Sequence, residues 1–301
     1  MYSAIELRDV IKSGLLSFPV TPFTPENTIN EASFCKHLEW LAEYEVAGLI
    51  VAGGTGELFS LTPLEVAQIV RLTRAQQPHS AIIAGCGYGT KMAIEMAAEI
   101  KQAGADGILL LPHYLIAAAP EGIEAHIRAV CQSTDLAVIV YNRGLSMITD
   151  KMLLRLCEDC PNLIGFKDGT GNIEMVKKIT LQNGSRLAYI GGMPTHELFA
   201  QAYRGTGVDT YSSAVFNFVP ETALKFYHAF MAGDDRVCDQ LLQSFYYPFA
   251  KIRDRKKGYA VSAIKCGVGL RGFNTGPVRP PLTDLSHEEA AMMQDLIDSQ
   301  S

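Results

Sequence analysis

Short aliphatic or β-branched runs alternate with longer amphipathic segments across most of this chain, and that rhythm restricts its fold more than any other feature. A buried strand followed by a helix returns the chain to the same end of a sheet, so the repeat calls for parallel strands covered by helices. Candidate strands fall at 15–20, 48–51, 81–85, 107–111, 137–141, 164–167, 188–191 and 208–211. Helical periodicity fills 31–44, 63–76, 90–103, 120–132, 149–160, 173–182 and 194–203, with entry signals at Thr62 before Pro63, at Thr149 before Asp150, and at Pro194 as a first-turn proline. Eight such units close naturally into a barrel. A doubly wound sheet usually has fewer strands and opens with a glycine-rich dinucleotide fingerprint. The expected fold is therefore α/β, a (β/α)8 TIM barrel. Segment 220–231 can serve as the last barrel helix, and 234–252, 258–270 and 286–299 continue with helical periodicity but no strands between them. These form an expected C-terminal helical extension, 233–301, after a barrel domain at 1–232, with a proline-rich loop at 276–282.

Composition narrows the partners. Apolar residues make up 48% and charged residues 19% of 301 residues, enough to bury a substantial core. The net charge of -6, without a long basic run, gives no footprint for nucleic acid or an anionic membrane surface, so a small-molecule substrate is expected. Glu6, Arg8 and Asp9 interrupt the stretch where a secretory signal would need apolar residues, and no apolar run approaches spanning length; a soluble, cytoplasmic location is the expectation. Seven scattered cysteines suit free thiols in a reducing compartment. Cys157 and Cys160 have the spacing of redox and zinc sites, but no second pair or nearby histidine completes one, and they are read as packing residues. The seven histidines show no metal-binding spacing either, so no metal and no cofactor are expected.

Barrel enzymes carry their reactive groups where strands end. Lys167 closes the run Gly165-Phe166-Lys167-Asp168-Gly169-Thr170-Gly171-Asn172. Projected into an apolar barrel, its amine would lose its proton readily and could attack a ketone to give an imine. Equally open is a lysine that snorkels from the strand end and pairs with Asp168. Lys265 is a rival amine, but it lies on a late helix where pairing or snorkelling is expected. Tyr141 ends Val138-Ile139-Val140-Tyr141, one strand before Lys167, where a phenol could pass protons beside an imine; taken singly, a strand-end tyrosine is also a common core residue. The third segment, Gly53-Gly54-Thr55-Gly56-Glu57, lets backbone N–H groups and the Thr55 hydroxyl approach an anion, and it matches neither a Walker loop nor a dinucleotide fingerprint. The cluster Gly85-Cys86-Gly87-Tyr88-Gly89 fits a tight strand-to-helix turn.

Taken in this order, the three segments resemble the dihydrodipicolinate synthase and N-acetylneuraminate lyase family over nearly the whole chain. The resemblance implies that Lys167 forms a Schiff base, that Tyr141 relays protons, and that the loop with Gly54 and Thr55 holds the carboxylate of an α-keto acid. Pro112-His113-Tyr114 is similar to a segment whose tyrosine crosses a subunit interface in several members, which makes Tyr114 a further candidate and implies a homotetramer built from dimers. Two departures stand out. Gly54 replaces the usual hydroxyl residue, so a relay through that hydroxyl cannot operate, and Arg143-Gly144 replaces an aliphatic-proline pair. With the segments 210–218 and 276–282, they resemble a branch that removes water and carbon dioxide from a sugar diacid. One imine can serve both steps, since it acidifies the neighbouring methylene and also acts as an electron sink. A second carboxylate needs its own anion site, for which Arg143, Ser212 and Ser213 are the candidates. A pyruvate-dependent aldolase acting on a sugar acid is the alternative chemistry, and a barrel that only binds sugar acids or a partner protein is the non-catalytic one.

Overall fold

In the computed structural model, which describes residues 1–300, the repeat resolves into eight parallel strands closed in chain order. Ser301, the last residue of the expected extension, lies outside the described residues. The elements run α1 (Ala4–Ile11), β1 (Leu16–Ser17), α2 (Glu31–Leu41), β2 (Gly48–Val51), α3 (Pro63–Gln76), β3 (Ile82–Cys86), α4 (Thr90–Gln102), β4 (Gly107–Leu110), α5 (Pro120–Gln132), β5 (Ala137–Asn142), α6 (Asp150–Asp159), β6 (Leu163–Asp168), α7 (Ile173–Asn183), β7 (Ala188–Gly191), α8 (Ala200–Arg204) and β8 (Thr210–Ser213). After them come α9 (Pro220–Ala232), α10 (Asp235–Leu241), α11 (Tyr247–Arg253), α12 (Tyr259–Leu270) and α13 (His287–Asp298). Closure is made by β1 on β8, with Leu16 opposite Ser212 and Ser17 opposite Ser213. Nearly every strand residue is buried, as a sheet covered by helices outside and side chains inside requires. The expected helix-entry signals at Thr62 and Thr149 act as caps: Thr62 accepts from the Glu65 N–H in a capping box, and Thr149 accepts from the Met152 N–H.

Four departures from the expected elements have local causes. Strand one, expected over 15–20, pairs only at Leu16 and Ser17, because beyond it the Asn217 side chain takes over the backbone: its Nδ2 donates to Phe18 O at 2.7 Å and its Oδ1 accepts from Val20 N at 3.1 Å. The helix expected from Pro194 begins later, since Thr195 sits at φ 51°, in the left-handed region; a short 3-10 turn, His196–Leu198, precedes α8. The helix expected over 234–252 is broken by a π turn, Leu242–Tyr246, just before Pro248, whose missing N–H and ring cannot fit a continuous α ladder. Finally, the chain opens with a helix that its sequence did not announce. Helix α1 starts in a capping box between Ser3 and Glu6 and buries Leu7 and Ile11 against β6 and β7.

The C-terminal helices join the barrel rather than forming a separate core. Phe245, Phe249, Ile264 and Met293 are buried in one cluster with Tyr211, Phe216, Phe218 and Phe226, which lie on β8, α9 and the turn between them. No helix among the described residues is long and apolar enough to cross a membrane.

Helix α1 covers the amino-terminal end of the barrel, opposite the strand ends that carry the candidate residues. Leu7 packs so closely there that a Cβ on Gly107, the first residue of β4, would come within 2.9 Å of its Cδ2. Leu7→Ala is expected to cost roughly 2–5 kcal/mol in urea unfolding while leaving the surroundings of Lys167 at the other end of the barrel unchanged. An unchanged unfolding midpoint would show that α1 is not part of the packed core.

Candidate active site

The strand pleat decides which residues at the carboxyl ends of β5, β6 and β8 reach the barrel interior. On β6, Lys167 points inward and Asp168 outward. Asp168 is fully engaged there: it accepts from Asn142 Nδ2 at 2.9 Å, Thr170 Oγ1 at 2.9 Å and Tyr203 OH at 2.5 Å. The ion pair between Lys167 and Asp168 that the sequence left open is thereby absent. Instead, Lys167 is 3% exposed, and its Nζ donates to Ser212 Oγ at 2.5 Å and sits 4.3 Å above the Phe18 ring. Burial, reinforced by the nearby Arg143 charge, lowers its pKa from 10.5 to about 7, so a large share of the amine is neutral near neutral pH.

Tyr141 lies opposite Lys167 in the β5–β6 ladder, with its ring centre 5.2 Å from Nζ. The phenol donates to Gly192 O at 2.6 Å and accepts from Arg143 Nη1 at 2.9 Å. Burial raises its pKa, and Arg143 pulls it back. This crowding explains Gly192, because a Cβ there would come within 2.8 Å of both Lys167 Cε and Tyr141 Cε2.

Between the strand ends lies a cavity of about 510 Å³ whose lining includes Gly54, Thr55, Tyr114, Tyr141, Arg143, Lys167 and Ser212. Seven of the eight residues singled out from the sequence thus meet in one space. Around Gly54 the cavity is open, since a Cβ there would meet nothing within 4 Å. Tyr114 is partly exposed at the rim, its ring centre 5.7 Å from that of Tyr88. Ser213 is the exception and does not reach the cavity: with Ser212 turned inward on β8, the pleat turns Ser213 outward, where its Oγ donates to Glu197 Oε1 at 2.6 Å. Glu197 is itself buried, and burial raises its carboxyl pKa to about 7.

Sequence reasoning missed part of the lining. Phe18 follows the shortened β1 directly and could have been found by applying the strand-end rule to that strand. Arg253, Val261 and Ile264 come from α11 and α12 and carry no local signal, since only the packing of those helices brings them to the cavity. Arg253 is held by its Nη1, which donates to Pro194 O at 3.1 Å and Thr195 Oγ1 at 2.6 Å. Lys265, expected to pair or snorkel, is buried and paired with Glu57 at 2.8 Å, outside the cavity lining.

A profile of the Dihydrodipicolinate synthetase family matches residues 12–300. The chain is 57% identical over 294 residues to a protein of Rhizobium meliloti (strain 1021) named "Probable 5-dehydro-4-deoxyglucarate dehydratase", the match covering 98% of each chain. It is 55% identical to a protein of the same name from Cereibacter sphaeroides (strain KD131 / KCTC 12085), again over 98% of each. Among solved structures, dihydrodipicolinate synthase from Bacillus clausii superimposes with a TM-score of 0.87 at 24% identity, covering 98% of this chain and 99% of the other.

A lysine that holds its proton less tightly when folded than when unfolded subtracts from stability. The cost is full below the folded pKa of about 7 and fades as the pH rises toward the ordinary lysine value of 10.5. Lys167→Met is therefore expected to raise thermal stability more at about pH 6 than at about pH 10, by a few kcal/mol at most. Equal shifts at both pH values would show that the amine is not desolvated. Gly192→Ala, by contrast, is expected to displace Lys167 and Tyr141 and to lower any turnover by about a hundredfold, measured as kcat.

Proposed function

The chain belongs to the Dihydrodipicolinate synthetase family and is an enzyme of the class I lyase type, and on that premise we propose that it is a decarboxylating dehydratase. Its proposed reaction converts 5-dehydro-4-deoxyglucarate to 2,5-dioxopentanoate, carbon dioxide and water. The observation that carries this reading is a buried lysine with no acid partner, its amine on Ser212 and beside Tyr141, in a cavity that also holds Arg143. Relatives above 50% identity over nearly the full length, named for this activity, supply the substrate.

The neutral Lys167 amine attacks the ketone carbon next to one carboxylate, and loss of water gives an iminium. Thr55 and the backbone N–H groups of its loop bind that carboxylate. The iminium acidifies the neighbouring methylene, which gives up a proton to form an enamine, and the enamine electrons expel the β-hydroxyl as water. The carbinol carbon beside the other carboxylate then loses its proton and the former imine carbon gains one, which leaves a ketone conjugated through the new double bond that accepts the electron pair as carbon dioxide departs. Protonation and hydrolysis release the aldehyde end of the product and return the amine. The enolate left by decarboxylation takes up the other proton and becomes the ketone beside the remaining carboxylate.

Tyr141 is the proton-transfer group in this scheme, with Arg143 rather than a hydroxyl at position 54 beside its phenol. Ser212 orients the amine for attack. The Arg143 guanidinium is assigned to the distal carboxylate, where planar, charge-assisted hydrogen bonds favour arginine. Ser213 has no part, since it faces Glu197. Tyr114 and the exposed Leu115 and Ile116 are assigned to a contact between subunits of a tetramer.

Incubation with 5-dehydro-4-deoxyglucarate is expected to release carbon dioxide and 2,5-dioxopentanoate without added metal or nucleotide. Borohydride during turnover should leave a reduced adduct on Lys167 in the peptide mass map. Lys167→Ala should lower kcat by at least about a thousandfold. Formation of pyruvate and an aldehyde from a sugar acid would favour the aldolase instead, and full turnover by Lys167→Ala would end the Schiff-base reading. Arg143→Met should raise KM by roughly tenfold to a hundredfold; an unchanged KM would move the distal carboxylate elsewhere.

A further inference from the structure

A second buried lysine lies outside the proposed chemistry. Lys265 on α12 is 2% exposed and Glu57, which ends the loop carrying Thr55, is fully buried. Lys265 Nζ donates to Glu57 Oε1 at 2.8 Å and to Pro277 O at 2.8 Å, while Glu57 Oε2 accepts the Arg279 backbone N–H at 3.0 Å. One carboxylate thus ties the loop after β2 to both α12 and the proline-rich segment. The Phe23 ring is close to both cations, its centre 4.1 Å from Lys265 Nζ and 4.1 Å from Arg279 Cζ. Thr21 Oγ1 donates to Gly56 O at 2.7 Å, and Phe23 N donates to Thr275 O at 2.9 Å, so the loop after β1 is joined to the same cluster.

Two features make this more than a stabilising contact. Glu57 adopts φ 61°, a left-handed backbone that a non-glycine residue enters only at a cost, two residues from Thr55. The side-chain bonds of Glu57 therefore hold a turn that its backbone disfavours. A fully buried ion pair is also a poor source of net stability, because desolvation offsets the attraction and a well-packed apolar pair does as well. What such a pair supplies is geometry. The helix that bears Lys265 lines the cavity through Val261 and Ile264, so the tether joins two walls of one site.

We propose that Glu57 and Lys265, with the Arg279 backbone N–H, are positioning residues that set the Thr55 loop to receive the carboxylate of an α-keto acid, which makes the C-terminal helices part of the substrate site. This rests on the assignment of that loop as the carboxylate site. A staple with only a structural role would change stability; a positioning role changes substrate affinity in protein that is still folded.

The test uses the full chain and pyruvate as the probe, with the Lys167 adduct after borohydride reduction read by mass spectrometry across a pyruvate titration. In the double variant Glu57→Gln/Lys265→Met no unpaired charge remains buried. It is expected to fold with a cooperative thermal transition and to need at least about tenfold more pyruvate for half-maximal adduct. Its kcat on the proposed substrate should stay within about threefold of wild type, with the loss appearing in KM. An unchanged half-saturation in folded double variant overturns the proposal. Glu57→Asp alone, which keeps a carboxylate opposite Lys265 but draws it back by one methylene, gives the same decision if the double variant does not fold: a weaker shift of about threefold supports the proposal and none overturns it. A wild-type chain that forms no adduct overturns the Schiff-base reading and this proposal with it. If wild type forms the adduct but Thr55→Val does not shift its half-saturation, the carboxylate assignment fails and the proposal falls with that assignment alone.

Discussion

A primary amine that has lost its water without gaining an acid is the condition on which the rest of this site depends. In water Lys167 would be protonated and could not attack a carbonyl, and beside a carboxylate it would be protonated still. The barrel removes the water by surrounding the side chain with Phe18, Tyr141 and the strand walls. It removes the acid by the pleat, which turns Asp168 outward into a network with Asn142, Thr170 and Tyr203. Arg143 adds repulsion between like charges, so two independent causes lower the pKa in the same direction. Ser212 accepts from the amine without a charge of its own and fixes its direction.

Comparison with Lys265 brings out the point. Both lysines are buried and both lie near an aromatic ring, yet Lys265 meets Glu57 at 2.8 Å and two backbone groups of the proline-rich segment close over the pair. Burial pulls its pKa down, and Glu57 pulls it back. Two residues of the same type thus take different parts according to whether a carboxylate shares their pocket. One amine is open to a cavity and suited to covalent chemistry, while the other is closed off and suited to holding a loop. The proposed reaction needs the Lys167 amine and a carboxylate receptor at a fixed distance from each other, which gives the tether a purpose in it.

The distribution of correct and incorrect expectations follows from how far each depended on distant parts of the chain. Lys167, Tyr141 and Thr55 could be placed together because strand ends in a barrel face one space, here the cavity they line, and strand ends are visible in hydrophobic runs. Ser213 was misplaced because the expected strand stopped at 211, two residues short of the strand that forms, and the inward or outward sense of Ser212 and Ser213 depends on the register with β1. Strand β1 was overextended because the competing hydrogen bonds come from Asn217, some two hundred positions later. The π turn before Pro248 and the cavity face of α11 and α12 were likewise invisible to a local pattern.

What the sequence determined by itself was the architecture and the residue types at each strand end. Those follow from local periodicity and from the tendency of a buried strand followed by a helix to repeat in one direction. Tertiary structure alone decided the charge state of each lysine, because protonation depends on which groups of other elements share the same dry volume. It alone decided that helices from the far end of the chain form a wall of the cavity and grip Glu57. Contacts between positions about two hundred residues apart leave no trace in any short stretch of chain, and they arise only when the barrel closes and the last helices pack against it.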